Sequence, residues 1–168
     1  MPGSLYQYLA HDHDRLDTLL RQAVANAGAV EPGPYQEFRK GLLRHISIEE
    51  KIVFPTIARL QGGRPAPIAA RLRLDHGAIV SLLVPVPSAS IIKTLQLILS
   101  VHNPLEEQTD GVYQLFDSLA GSDSARLLDE LEFAPEVPVL SNKPLKDVVG
   151  AVRRAVARAG YTFQEVED

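Results

Sequence analysis

Four of the chain's five histidines fall on helical apolar stripes, where an imidazole needs a partner to hold it. His13 joins Leu9, Leu16 and Leu20; His45 follows Phe38 and Leu42. His76 lies between Leu72 and Ile79, and His102 follows Leu95 and Ile98. One buried histidine is usually a hydrogen-bonded core residue. Four of them, one on the inner face of each of four predicted helices, ask for something shared. Two of the segments also read HxxxE: His45 to Glu49, and His102 to Glu106. At about 100° per residue, side chains four apart lie on one helix face, so each glutamate points inward with its histidine. An isolated carboxylate in an apolar core costs on the order of several kcal/mol. No inward arginine or lysine is evident as a countercharge. A divalent cation among these side chains supplies one.

The set occurs twice. Asp12 and His13, followed by His45, Glu49 and Glu50, are echoed by Asp75 and His76, followed by His102, Glu106 and Glu107. Two helical hairpins thus bring one histidine and then an HxxxEE run each, and a pseudo-twofold bundle joins them into one site. Glu50 and Glu107 read as surface glutamates. Asp12 and Asp75, one step off the stripe, read as surface groups or partners of the ligand imidazoles. Asp17, at i+4 from His13, reads as a salt-bridge partner or an extra ligand, and His11 as exposed on the outer face.

Carboxylates and imidazoles without thiolate suit iron, manganese or zinc. The chain has no cysteine, which excludes disulfides, iron–sulfur clusters and thiolate sites. Six convergent donors exceed the four of a closed structural zinc site and favour a dinuclear or six-coordinate centre. A ferritin-type oxidase would show ExxH, and that spacing is absent. Haem held by two histidines would leave both HxxxE segments unexplained.

The elements that must position these residues are helices separated by Pro/Gly punctuation. The pattern predicts one from Ser4 to about Gly28, one from Pro34 to about Gln61, one from Pro65 to Val84, and one from Ser88 or Ser90 to about Gly121. Short connections make neighbours antiparallel, so the expected fold is all-α, an up-down-up-down four-helix bundle over residues 1–121. Residues 122–168 form a C-terminal helical extension, with a short helix around Leu127, Leu128 and Leu131 and an amphipathic one from about Pro144 to Ala159. The apolar face of that last helix suits packing on the bundle or a homodimer contact.

The 168 residues are 45% hydrophobic and 23% charged, enough for one real core. A net charge of −4 argues against nucleic acid as a partner. No apolar run suits a membrane span or a signal peptide, so the cytoplasm is the expected location.

The same residues resemble those of the hemerythrin-like (HHE) cation-binding domains. The resemblance rests on Asp12-His13, on the run from Leu43 through His45, Glu49 and Glu50 to Pro55, on Asp75-His76, and on His102 with Glu106 and Glu107. It covers roughly residues 4–120. It implies a bundle holding two irons, bridged by carboxylates matching Glu49 and Glu106, with terminal histidines matching His13, His45, His76 and His102. The metal set is therefore His13, His45, Glu49, His76, His102 and Glu106, with zinc or manganese as alternatives to iron. Oxygen-carrying members have a further histidine one turn after the one matching His76, where this chain has Val80. Their last carboxylate falls five residues after the final histidine, the place of Glu107; the internal repeat and the helical face favour Glu106. One nitrogen fewer leaves one iron more open or completed by water, which suits exchangeable ligand binding better than oxygen carriage. Tyr113 lies 11 residues past His102, across an apparent insertion at residues 108–111, and stays outside the expected set.

The expected function is binding, sensing or storage of iron, oxygen, nitric oxide or peroxide by a non-haem di-iron centre. A di-iron enzyme reducing peroxide or oxidising ferrous iron, and a metal-free helical interaction module, are the alternatives.

Overall fold

Helix α1 (Ser4–Ala23) buries Leu5, Leu9, His13, Leu16, Leu20 and Ala23, a stripe stepping by three and four residues. Helix α2 (Pro32–Ile48) opens with prolines in its first turn, where no N–H is needed. It runs without interruption through a π turn (Glu49–Val53) into α3 (Phe54–Leu60). Pro55 cannot donate to the carbonyl of Lys51, and the wide turn before it absorbs the missing bond. Then follow α4 (Ala69–Leu82), α5 (Ala89–Glu107), α6 (Val112–Ala120), α7 (Ser124–Glu132) and α8 (Leu145–Arg158). The Ser88 hydroxyl caps α5 by accepting the Ile91 N–H at 3.3 Å. This computed structural model describes residues 1–167, and among them the regular elements are all helical, with no strand.

Three boundaries differ from expectation, one of them the start of the third predicted helix, α4, at Ala69, four residues after Pro65. The first helix ends at Ala23, before Gly28. The fourth breaks after Glu107 and resumes as α6, so it does not run to Gly121 unbroken. Asp110 adopts a left-handed φ of 55° in the break. Gly111 follows, where a Cβ would lie 2.4 Å from the Glu106 carbonyl oxygen. That close approach turns α6 back toward α5.

Two apolar clusters form the core. One gathers Leu16 and Leu20 of α1, Phe38, Leu42 and Ile46 of α2, Ile79 and Leu82 of α4, and Leu95 and Ile98 of α5. The other holds Leu5 and Leu9, Ile48 and Val53, Leu72, and Tyr113 and Phe116 of α6 with Leu127 and Leu131 of α7. Where each of α1, α2, α4 and α5 passes from one cluster to the other stand His13, His45 with Glu49, His76, and His102 with Glu106. A polar layer lies between two oily ones.

Helix α8 packs on α4, burying Val152 and Val156 within the same chain. The buried Arg39 donates to the carbonyls of Leu83 (2.7 Å) and Leu140 (2.6 Å), tying the segment before α8 to the bundle. Of the two expected roles for its apolar face, α8 takes packing on the bundle and lends no support to a homodimer contact. No described helix is long and apolar enough to cross a membrane.

Candidate metal centre

Glu49 and Glu106 are fully buried, and His13, His45, His76 and His102 nearly so. Their ligating atoms form two overlapping groups: His13, His45, Glu49 and Glu106, and Glu49, His76, His102 and Glu106. In each group all four atoms lie within 4.8 Å of one another. Both glutamates belong to both groups because each divides its oxygens between them. Glu49 Oε1 is 3.2 Å from His45 Nε2, while its Oε2 is 3.1 Å from His76 Nε2. Glu106 Oε2 is 3.3 Å from His13 Nε2, while its Oε1 is 3.1 Å from His102 Nε2. The structure thus brings all six expected residues together.

The other ring nitrogen of every histidine meets a carboxylate. His45 Nδ1 donates to Asp12 (2.8 Å), His76 Nδ1 to Glu50 (2.7 Å), His102 Nδ1 to Asp75 (3.2 Å) and His13 Nδ1 to Glu107 (2.5 Å). These bonds form a ring from α1 to α2, on to α4, to α5 and back to α1. An ionised carboxylate can only accept, so each Nδ1 carries a hydrogen and each Nε2 can turn a lone pair to the centre. Such outer carboxylates fix ring orientation and raise the basicity of a metal-binding imidazole. Glu50 and Glu107, read from sequence as surface side chains, are therefore partners of His76 and His13. Phe54 stacks on the His76 ring at 5.9 Å between centroids.

Tyr113 was outside the expected set and is inside the site. Its hydroxyl donates to Glu49 Oε1 at 2.6 Å and lies 3.0 Å from both His13 Nε2 and His45 Nε2, and 3.1 Å from Glu106 Oε2. The break at residues 108–111 places it there, on the side of His13 and His45. Sequence spacing alone could not carry a face assignment across that turn. Val80, Asp17 and His11 stand apart: Val80 is 37% exposed on α4, Asp17 pairs with Arg21, and His11 is exposed.

Among the described residues no arginine or lysine pairs with Glu49 or Glu106. Tyr113 has one O–H to offer to four neighbouring lone-pair atoms. Glu49 Oε2, Glu106 Oε1 and His76 Nε2 are buried with no hydrogen-bond partner. His76 Nε2 and Glu49 Oε2 are close at 3.1 Å but not aligned as a hydrogen bond. Without a cation, protons fill the role. Burial works against charge on His45, yet Glu49 and Asp12 outweigh it and push the imidazole up to about 10. Against the same burial, Glu106, Glu49 and Glu50 raise His76 to about 11, and Glu106 with Asp75 raises His102 to about 9. His13 is raised as well, by Glu106 and Glu107 against burial. Burial pushes Glu49 and Glu106 up, and the charge of Glu106 pushes Glu49 further, but the imidazoles hold both below the ordinary carboxylate range. Burial and the two glutamates keep the Tyr113 hydroxyl protonated well above its usual range. Buried carboxylates, inward imidazole lone pairs and orphaned oxygens fit one or two divalent cations.

A helical bundle with a buried histidine–carboxylate layer of this kind defines a cation-binding helical protein. The profile of the hemerythrin HHE cation binding domain matches residues 4–132, and the chain belongs to that family. The match runs from α1 through α7 and leaves α8 outside. Neither the curated proteins nor the solved structures offer a match to the chain.

Proposed function

We propose that the chain is a non-haem di-iron protein that binds, senses or stores iron or a small oxidising or diatomic ligand. One ion would be held by His13 and His45, the other by His76 and His102, with Glu49 and Glu106 shared. The observation that carries this reading is the division of each glutamate's oxygens between the two histidine pairs. A single ion would not need two carboxylates facing both ways. Iron is preferred because it is the usual occupant of the cation-binding family to which the chain belongs, and imidazole and carboxylate donors suit it. Zinc and manganese are the competing occupants.

The order in which the helices cross the core supports the up-down-up-down reading. α1 and α4 pass from the Leu5 cluster to the Leu16 cluster, and α2 and α5 pass the other way. The ring of imidazole–carboxylate bonds closes around the same four helices. Residues 1–121 as the bundle and 122–168 as an extension remains our division, although α7 shares the core cluster of α1. A cytoplasmic location belongs to the same reading.

When bound, a pair of irons supplies stored electrons and an exchangeable coordination position. The chain's residues set what that position accepts. Tyr113 stands beside His13 and His45 as a further oxygen donor, so a ligand on that side must share space with its hydroxyl. A cavity of about 330 Å³ reaches His13 between α1 and α5, walled by Leu16, Phe38, Leu42 and Leu99 with Asn103 and Glu107. Its apolar walls suit a diatomic molecule, and Asp14, Asp17, Gln96 and Ser100 also line it and suit peroxide. The enzyme reading draws on Tyr113, whose hydroxyl holds a proton 2.6 Å from Glu49 inside the centre.

Anaerobic reconstitution with ferrous iron, followed by metal counting and an optical spectrum in air, tests the proposal. Two irons per chain and near-ultraviolet absorption of a bridged ferric pair are expected. Fewer than one iron per chain would reject it. Steady peroxide or ferrous turnover, abolished in His45→Ala, would move the assignment to an enzyme.

A further inference from the structure

The four outer carboxylates are not equally covered. Asp12 is 11% exposed, Glu50 30% and Glu107 35%, whereas Asp75 is fully buried. Asp12 and Asp75 hold equivalent places in the sequence repeat, so the difference comes from what lies over Asp75. The cover is Tyr161, beyond the end of α8 and outside the region matched to the family. Its hydroxyl donates to Asp75 Oδ2 at 3.2 Å, the same oxygen that accepts the His102 Nδ1 hydrogen. Arg71 locks the tyrosine in place. One guanidinium nitrogen donates to the Ala159 carbonyl at 2.6 Å and another to the Tyr161 hydroxyl at 3.0 Å, and the group stacks over the ring at 5.2 Å. The guanidinium also lies 3.4 Å from Asp75 Oδ1, which has no hydrogen-bond partner.

We propose that Tyr161 is a positioning residue for the metal site at His102, and that metal loading and docking of the C-terminal segment are coupled through Asp75. The inference rests on the reading of His102 as a ligand. With the hydroxyl in place, Asp75 is held with Oδ2 on His102 Nδ1, and the imidazole keeps its Nε2 toward Glu106. Without it, the carboxylate is free to rotate toward Arg71, and His102 loses its orienting partner. Coupling of this kind is reciprocal, so an ion that fixes His102 also strengthens the seat of Tyr161. The pseudo-symmetric partner Asp12 has no such cover: its second contact is Arg15, which is half exposed.

The test uses the full chain loaded with iron, as wild type, Tyr161→Phe and Tyr8→Phe. Y161F keeps the ring and its stacking on Arg71. Y8F removes a hydroxyl that donates to the Leu131 carbonyl and touches no imidazole partner. Release of iron to a strong chelator is timed, Mössbauer spectra are recorded, and amide exchange of residues 145–161 is followed in loaded and chelated wild type. In Y161F one iron should leave about threefold faster or more, short of the roughly 10- to 100-fold effect of losing a direct partner of a ligand. One of the two Mössbauer doublets should shift, while Y8F should match wild type. Amides of Gly160 and Tyr161 should exchange more slowly in the loaded form. Wild-type release and spectrum in Y161F, or exchange indifferent to iron, would overturn the coupling while leaving the di-iron reading intact. A chain that takes up no iron would overturn both.

Discussion

Each outer carboxylate is the immediate sequence neighbour of a proposed ligand on its own helix, yet it serves a histidine on the next one. Asp12 precedes His13 and bonds His45; Glu107 follows Glu106 and bonds His13. One residue along a helix is a turn of about 100°, which from the inner face leads toward the neighbouring helix. The six inner residues were legible because a four-residue spacing and the apolar stripe define a face without any knowledge of neighbours. Glu50 and Glu107 were not, because their partners lie on another helix. The same distinction separates Glu106 from Glu107, and it is testable. Glu106→Gln should abolish loading of both positions, since one carboxylate faces both. Glu107→Gln should keep the stoichiometry and weaken affinity roughly 10- to 100-fold. Competitive chelator titration reads both, and equal losses in the two variants would contradict the assignment.

The helices that carry the HxxxE segments are the irregular ones. α2 widens into a π turn starting at Glu49, and α5 contains Pro104 between His102 and Glu106 before it breaks. Long apolar stripes made the existence of these helices readable. The break at residues 108–111 was visible only as an insertion, since its consequence depends on the backbone path. Gly111 sets that path. An added Cβ there would lie 2.4 Å from the Glu106 carbonyl oxygen and 2.8 Å from that of Gln108, both backbone atoms that cannot step aside cheaply. Gly111→Ala should cost about 1–3 kcal/mol in urea unfolding, as overpacking does. It should also change the optical spectrum of the iron-loaded protein, because Tyr113 follows two residues later and would move with α6. A Gly111→Ala protein with unchanged spectrum and midpoint would show that the turn does not place the tyrosine.

In the whole molecule, a charged layer is held between two apolar clusters, so its neutralisation is part of the protein's stability. Protons can neutralise it, as the raised imidazoles show, but that remedy depends on pH in a way a metal does not. His45, His76 and His102 are raised to about 10, 11 and 9 in the folded chain without metal, from an unfolded value of 6.5. A group raised on folding contributes stability that is fully present below its unfolded value and is lost as pH climbs through its folded value. The metal-free protein should therefore weaken progressively from about pH 6.5 upward. The depressed Glu49 and Glu106 act oppositely: their contribution is present above about 4.5 and is lost as pH falls. On the proposed reading the imidazole lone pairs would hold a bound iron, and rising pH would remove competing protons. The difference between loaded and metal-free urea midpoints should accordingly widen between pH 6 and pH 9. Paired urea titrations across that range measure it. A difference that stays constant with pH would mean that protons and metal do not compete for these histidines, and that the buried layer is neutralised some other way.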